Sequence, residues 1–207
     1  MKRKIKICGM RLPGNIAEVR RLGPDYLGYI FYPKSARFFP ESEIGNILQT
    51  DSIRNTAVFV DAGHDLVERV LASGKFQTVQ LHGNEDPSFC SWVRNQGYET
   101  IKAFGVGEDF DFSRLEPYLD AVDYFLFDTK SPDYGGTGKS FPWEILKNYH
   151  YHKSYFLSGG IGPDNIGEAS QLSDERLYAI DLNSRFEKSP GIKNITLLER
   201  VLKYTSI

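Results

Sequence analysis

The chain has 207 residues and carries 27 acidic against 25 basic side chains, a formal charge of −2, with no block of like charge. That balance argues against an electrostatic nucleic-acid surface or an anionic-membrane surface. Its length suits one sizeable core, read as a single domain over residues 1–207.

The N-terminal MKRKIKICGM starts basic like an export signal, but its apolar stretch is short and broken by Lys6 and then Arg11. No segment approaches the ~18 to 20 apolar residues of a membrane span. Cys8 and Cys90 stand in no metal-type or disulfide-type spacing, so the expected setting is soluble, reducing and cytoplasmic.

Short β-branched and aromatic runs recur along the chain: IKIC (5–8), DYLGYIF (25–31), TAVFV (56–60), TVQLH (78–82), TIKAF (100–104), DYFLFD (123–128), SYFLSG (154–159) and LYAIDL (177–182). Between them lie apolar residues at helical spacing, as in Leu66, Val67, Val70 and Leu71, or Ile195, Leu198, Val201 and Leu202. Alternation of this kind predicts parallel strands joined by right-handed helical crossovers, and eight units fit a closed (β/α)₈ TIM barrel better than an open doubly wound sheet.

Barrels of this type build their sites at the C-terminal ends of the strands. Those ends supply Cys8 and Gly9, Tyr32 with the Ser35–Pro40 loop, Asp61, His82 and Gly83, Phe104 and Gly105, Asp128, Gly159 and Gly160, and Asp181 through Ser184. Strand parity turns Ile5 and Ile7 toward the helix layer and Lys6 and Cys8 into the barrel. It likewise sets Tyr124, Leu126 and Asp128 inward, with Phe125 and Phe127 outward.

Cys8 and Asp128 then face one cavity as a candidate base and acid. A free thiol near pKa ~8.5 is only a few per cent ionised at pH 7, and Lys6 one layer below could assist it. An aspartic acid near ~3.9 is almost wholly ionised, so an acid role requires its pKa to rise by roughly 3, about 4 kcal/mol of burial or like-charge pressure.

LSGGIGPDNI (157–166) ends a strand on Gly159 and Gly160 and predicts a helix after Pro163, leaving backbone N–H groups for a phosphate. DLNSR (181–185) follows the eighth strand, and the loops after strands seven and eight are the recurrent phosphate site of this fold. YGGTGKSF (134–141) has the glycines of a loop that closes over ligand. It is not a P-loop, because position 133 is Asp133 where that motif needs glycine. Arg37, beside Phe38 and Phe39, suits the carboxylate of an aromatic substrate.

Plainer readings stand beside these. A lone cysteine at a strand end is commonly packing. Asp128 alone could be a cap, and Arg37 a solvated side chain or a structural ion pair. His82 either lines the pocket or bonds the backbone, and is kept as a binding candidate. Cys90 reads as core, and His64, His150 and His152 receive no role.

The assembled motifs decide between these readings. KICG at the first strand, Ser35, Arg37 and Pro40, QLHG (80–83), FDTK (127–130), GGTG (135–138), SGGI (158–161) and Glu187, Pro190, Gly191 and Lys193 together resemble the phosphoribosylanthranilate isomerase family, in order and over nearly the whole chain. The resemblance implies an Amadori rearrangement of a phosphorylated aminoaldose, a step of tryptophan biosynthesis, with Asp128 as acid and Cys8 as base. It implies Arg37 on the anthranilate carboxylate, Asp181 on a sugar hydroxyl, and Gly160, Asn183 and Ser184 on the phosphate. His82, Gly136, Gly138 and Gly159 complete the candidate binding set.

No metal and no organic cofactor is implied, and monomer and homodimer are both open. One position departs from the family pattern: Arg185 stands where glycine is usual, which either removes a left-handed backbone or adds a cation beside the phosphate. Rival barrels fit less well. An indole-glycerol-phosphate synthase calls for lysine and glutamate at strand ends, and a pentose-phosphate epimerase for metal-binding histidines and aspartates; Cys8 and a lone His82 fit neither. A barrel that binds phosphate without turnover has Arg185 as its one support.

Overall fold

The computed structural model describes residues 3–130 and 141–202. Eight parallel strands, β1 (Lys4–Cys8), β2 (Tyr26–Ile30), β3 (Arg54–Phe59), β4 (Thr78–Leu81), β5 (Glu99–Val106), β6 (Tyr124–Thr129), β7 (Tyr155–Leu157) and β8 (Leu177–Leu182), pair in sequence order. Pairing of Lys4 with Ala179 through Ile7 with Leu182 joins β8 to β1 and closes the barrel. The strand alternation expected from the sequence holds. Ile5, Ile7, Phe125 and Phe127 pack in the outer core, while Leu126 lies inside with Tyr26, Ile101, Ala103, Phe156 and Ala179.

Among the described residues the outer layer is thinner than eight helices. The α-helices are α1 (Pro13–Arg21), α2 (His64–Leu71), α3 (Pro87–Asn95), α4 (Ile166–Gln171) and α5 (Ile195–Leu202). The expected apolar stripes face the barrel: Val67, Val70 and Leu71 on α2, Leu198 and Val201 on α5. In the described parts of the crossovers after β2, β5 and β6 stand instead 3₁₀ turns at 41–46, 112–118 and 143–148. Local sequence explains this. Gly45 lies within the first turn and Pro117 within the second, while Pro40 and Pro142 immediately precede the first and third, and both residue types disfavour a continued α-helix.

The bottom of the barrel is plugged by aromatic rings. Tyr124 stacks on Tyr178 with centroids 4.6 Å apart, and the Tyr26 ring meets Phe156 edge-on at 5.3 Å. Beyond β8 a short antiparallel pair, β9 (Glu187–Ser189) and β10 (Ile192–Lys193), folds back beside the mouth. No helix among the described residues is long and apolar enough to cross a membrane.

Candidate active site

With its lower end filled, the barrel opens at the C-terminal rim into a polar cleft. Cys8, Arg37, His82, Asp128, Gly159, Gly160, Asp181, Asn183 and Ser184 all line it. Gly136 and Gly138, with the loop read as closing over ligand, lie outside the described residues.

Cys8 ends β1 opposite Gly28 of β2. A Cβ on Gly28 would stand 2.7 Å from the Cys8 Sγ, so the bare glycine makes room for the thiol. This is the close approach that a glycine inside a strand commonly marks. Cys8 is only 4% exposed. Burial pushes the thiol above its ordinary value, against the opposing pull of Lys6 and Lys193 and with Asp181 adding to the rise.

Lys6 lies one layer below, as strand parity predicts, fully buried with its Nζ 3.0 Å from Asp181 Oδ1. Burial works to lower the Lys6 ammonium, but Asp181 and Cys8 outweigh it and the net direction is up. Burial also raises the Asp181 carboxyl, and the nearby Asp128 charge adds to this against the pull of Lys6. Asp181 is therefore already engaged from below while one side of it meets the cleft.

Asp128 points in from β6. The Thr129 N–H donates to its Oδ1 at 2.8 Å, and its Oδ2 lies 3.4 Å from His82 Nε2. His82 Nδ1 in turn lies 2.8 Å from the Gln80 amide nitrogen. With that amide donating, Nδ1 accepts and the ring proton sits on Nε2, facing Asp128. Gln80 lines the cleft, yet the sequence reading passed over it. Its position two residues before His82, on the same strand face, was the available signal.

Arg37 rises from the loop after β2, and its Nε and one Nη are held by Glu187. The aromatic partners expected for it turn elsewhere. Phe39 is buried against Tyr29 and Phe31, with centroids at 5.1 and 6.0 Å, in the outer core, and neither Phe38 nor Phe39 lines the cleft.

The loop after β7 carries Gly159 and Gly160 at φ +88° and +62°, a backbone that side chains resist. The helix expected directly after Pro163 begins at Ile166. Asn165 Oδ1 first accepts the Gly162 N–H at 2.7 Å and forms a turn, so that amide is already occupied. After β8, Asn183 accepts from Lys193 Nζ at 2.8 Å through its Oδ1. Arg185 needs no left-handed backbone, since Asp61 is the one non-glycine residue at positive φ among those described. Its Nη2 donates to Asp164 Oδ1 at 2.6 Å. No group of three or more His, Cys, Asp or Glu among the described residues is arranged to hold a metal ion.

Fold and cleft together define a (β/α)₈-barrel enzyme whose polar pocket, at the open rim, gathers a thiol, carboxylates, an arginine and glycine-rich loops. The family model of N-(5'phosphoribosyl)anthranilate (PRA) isomerase matches residues 5–204. An N-(5'-phosphoribosyl)anthranilate isomerase of Parabacteroides distasonis is 40% identical over 202 residues, 96% of this chain and 91% of that protein. The crystal structure of the Thermotoga maritima phosphoribosyl anthranilate isomerase superposes with a TM-score of 0.86 at 29% identity, covering 99% of this chain and 98% of that one. A phosphoribosyl anthranilate isomerase solved in complex with reduced 1-(o-carboxyphenylamino)-1-deoxyribulose 5-phosphate superposes at 0.84 with 26% identity, covering 99% and 98%. The chain belongs to the PRA isomerase family, and its activity is PRA isomerisation in tryptophan biosynthesis.

Proposed function

We propose that Asp128 is the general acid and Cys8 the general base of this isomerisation. In the first step Asp128 protonates the furanose ring oxygen of N-(5'-phosphoribosyl)anthranilate. The bond from that oxygen to C1′ breaks, and the nitrogen lone pair forms the C1′=N bond of a protonated Schiff base. The Asp128 carboxylate left behind has the Thr129 N–H and the His82 Nε2 side as donors.

The Cys8 thiolate then removes the proton from C2′, and the electron pair of that C–H bond moves through C1′ to neutralise the iminium as an enolamine. Tautomerisation then takes the proton from the C2′ hydroxyl and adds one at C1′, giving the ketone, 1-(2-carboxyphenylamino)-1-deoxyribulose 5-phosphate. The observation that carries this reading is the thiol and the carboxylate brought from β1 and β6 into one cleft.

Gly159, Gly160, Asn183 and Ser184 are proposed to hold the phosphate, Asp181 a sugar hydroxyl and Arg37 the anthranilate carboxylate. His82 backs Asp128. The solved relative with the reduced product analogue supports a ligand of this kind. We further propose one domain over residues 1–207 working in the cytoplasm, which two free buried thiols suit. A homodimer rests on the dimeric Thermotoga maritima relative.

Steady-state turnover of freshly generated substrate, followed by loss of anthranilate fluorescence, tests the acid–base pair. Cys8→Ser and Asp128→Asn are each expected to lower kcat by more than about a thousandfold, roughly 4 kcal/mol, while still binding the reduced product analogue. Retention of kcat within tenfold by either variant removes that residue from the chemistry.

A further inference from the structure

Glu187 begins β9, 150 residues from Arg37 in sequence, and its side chain is only 4% exposed. Its carboxylate receives Arg37 Nε at 3.0 Å on each oxygen and Arg37 Nη2 at 2.7 Å on Oε2. Lys193 Nζ and the Gly191 N–H bind Oε1 at 2.7 and 3.1 Å. Burial alone would raise this carboxyl, but the Arg37 hydrogen bonds and the Lys193 charge hold it below its ordinary value. Burial pulls the Lys193 ammonium down and the Arg37 charge adds to this, against the opposing pull of Glu187 and Cys8.

One carboxylate thus serves two cations, leaving a net positive charge at this corner of the cleft. The guanidinium is gripped along its Nε–Nη2 edge, and its remaining donors belong to the opposite edge. Gly9 presses on the arrangement from the loop after β1, where a Cβ would stand 2.8 Å from both Arg37 Cδ and Asn183 Oδ1. An arginine fixed by its inner edge presents the outer one without losing rotamer freedom when an anion arrives.

We propose that Glu187 is the positioning residue for Arg37, aiming the outer edge of the guanidinium at the carboxylate of the substrate's aromatic ring. This rests on the reading of Arg37 given above. It makes Glu187 a determinant of how strongly the enzyme prefers a carboxylated aniline, although Glu187 itself touches no substrate atom.

The test measures KM and kcat for Glu187→Gln, Arg37→Ala and the double variant, with inorganic phosphate as a competitive probe and thermal melts to confirm folding. Arg37→Ala and Glu187→Gln should each raise KM about tenfold with kcat within threefold. In the Arg37→Ala background the Glu187 substitution should change KM by less than twofold, and the inhibition constant for phosphate should not move in Glu187→Gln. If Glu187→Gln does not fold, Glu187→Asp keeps the charge but withdraws it by one methylene, and the same KM split is expected.

Additive losses in the double variant, or weaker phosphate inhibition in Glu187→Gln, would overturn the proposal and assign Glu187 to the loop after β8 through Lys193 and Asn183. An unchanged KM in Arg37→Ala alone would overturn the carboxylate reading of Arg37, and the role of Glu187 with it.

Discussion

Lys6 Nζ and Asp181 Oδ1 meet at 3.0 Å, Lys6 fully buried in the layer below Cys8 and Asp181 nearly so, with one side on the cleft. The pair has two consequences. It satisfies a charge buried inside the barrel, and it keeps an ammonium next to the atom proposed to become a thiolate. Removing one partner strands the other. Lys6→Met is expected to destabilise the protein by about 3–5 kcal/mol and to lower kcat/KM at pH 7 by at least tenfold. Lys6→Met/Asp181→Asn, with no stranded charge, should recover part of the stability and none of the activity. Chemical denaturation and turnover of the three proteins check this, and a double variant as unstable as the single one would mean the ion pair is not what the barrel interior depends on.

The protonation of Cys8 fixes the direction of a pH profile. Burial holds the thiol above its ordinary value, which is about 8.5. A base works only when deprotonated, and below its pKa the ionised fraction falls tenfold per pH unit. The kcat/KM profile of the wild type is therefore expected to climb with unit slope through neutrality and to bend only above pH ~8.5. Lys6→Met, which deletes a cation that lowers this thiol, should carry the bend further toward alkali. A bend below pH 7 in the free enzyme would contradict the raised thiol.

The barrel was legible because each strand is a short run of β-branched and aromatic residues and the parity of two forces one face inward. Lys6, Cys8, Leu126 and Asp128 all follow from that rule. The 3₁₀ crossovers were less legible, because Ile44 in the first, Phe112 and Leu115 in the second and Trp143 and Leu146 in the third are buried much as a helix would bury them. Only the flanking or internal Pro and Gly distinguish the cases. The grip of Glu187 on Arg37 leaves no local trace, since it exists only once the barrel has closed β8 onto β1. Glu187 and Lys193 were visible as motif positions, and nothing in their spacing said that Lys193 shares the Glu187 carboxylate with Arg37. Gly28 carried a readable sign, a glycine within a strand, but the reason for it is the Cys8 Sγ on the neighbouring strand.

Arg185 gives the last prediction. Its side chain crosses from the loop after β8 to the loop after β7, where its Nε would lie 2.8 Å from a Cβ on Gly162 and its Nη2 binds Asp164 at 2.6 Å. These two loops carry Asn183 and Ser184 on one side and Gly159 and Gly160 on the other. The backbone at Arg185 makes no demand that glycine alone would meet, so restoring the usual family residue is tolerable to the fold. The bridge to Asp164 is exposed, and ion pairs of that kind add little to stability. Arg185→Gly is therefore expected to leave the melting temperature within about 2 °C, a surface-scale change. It should weaken inhibition by inorganic phosphate about three- to tenfold, since a positive charge beside the proposed phosphate site is removed and the two loops lose their cross-link. Titration of phosphate against turnover at low and high salt reads the effect, which should shrink as salt screens the cation. Unchanged phosphate inhibition at low salt would show that Arg185 only ties Asp164 to the surface, and that the phosphate is held by the loops alone.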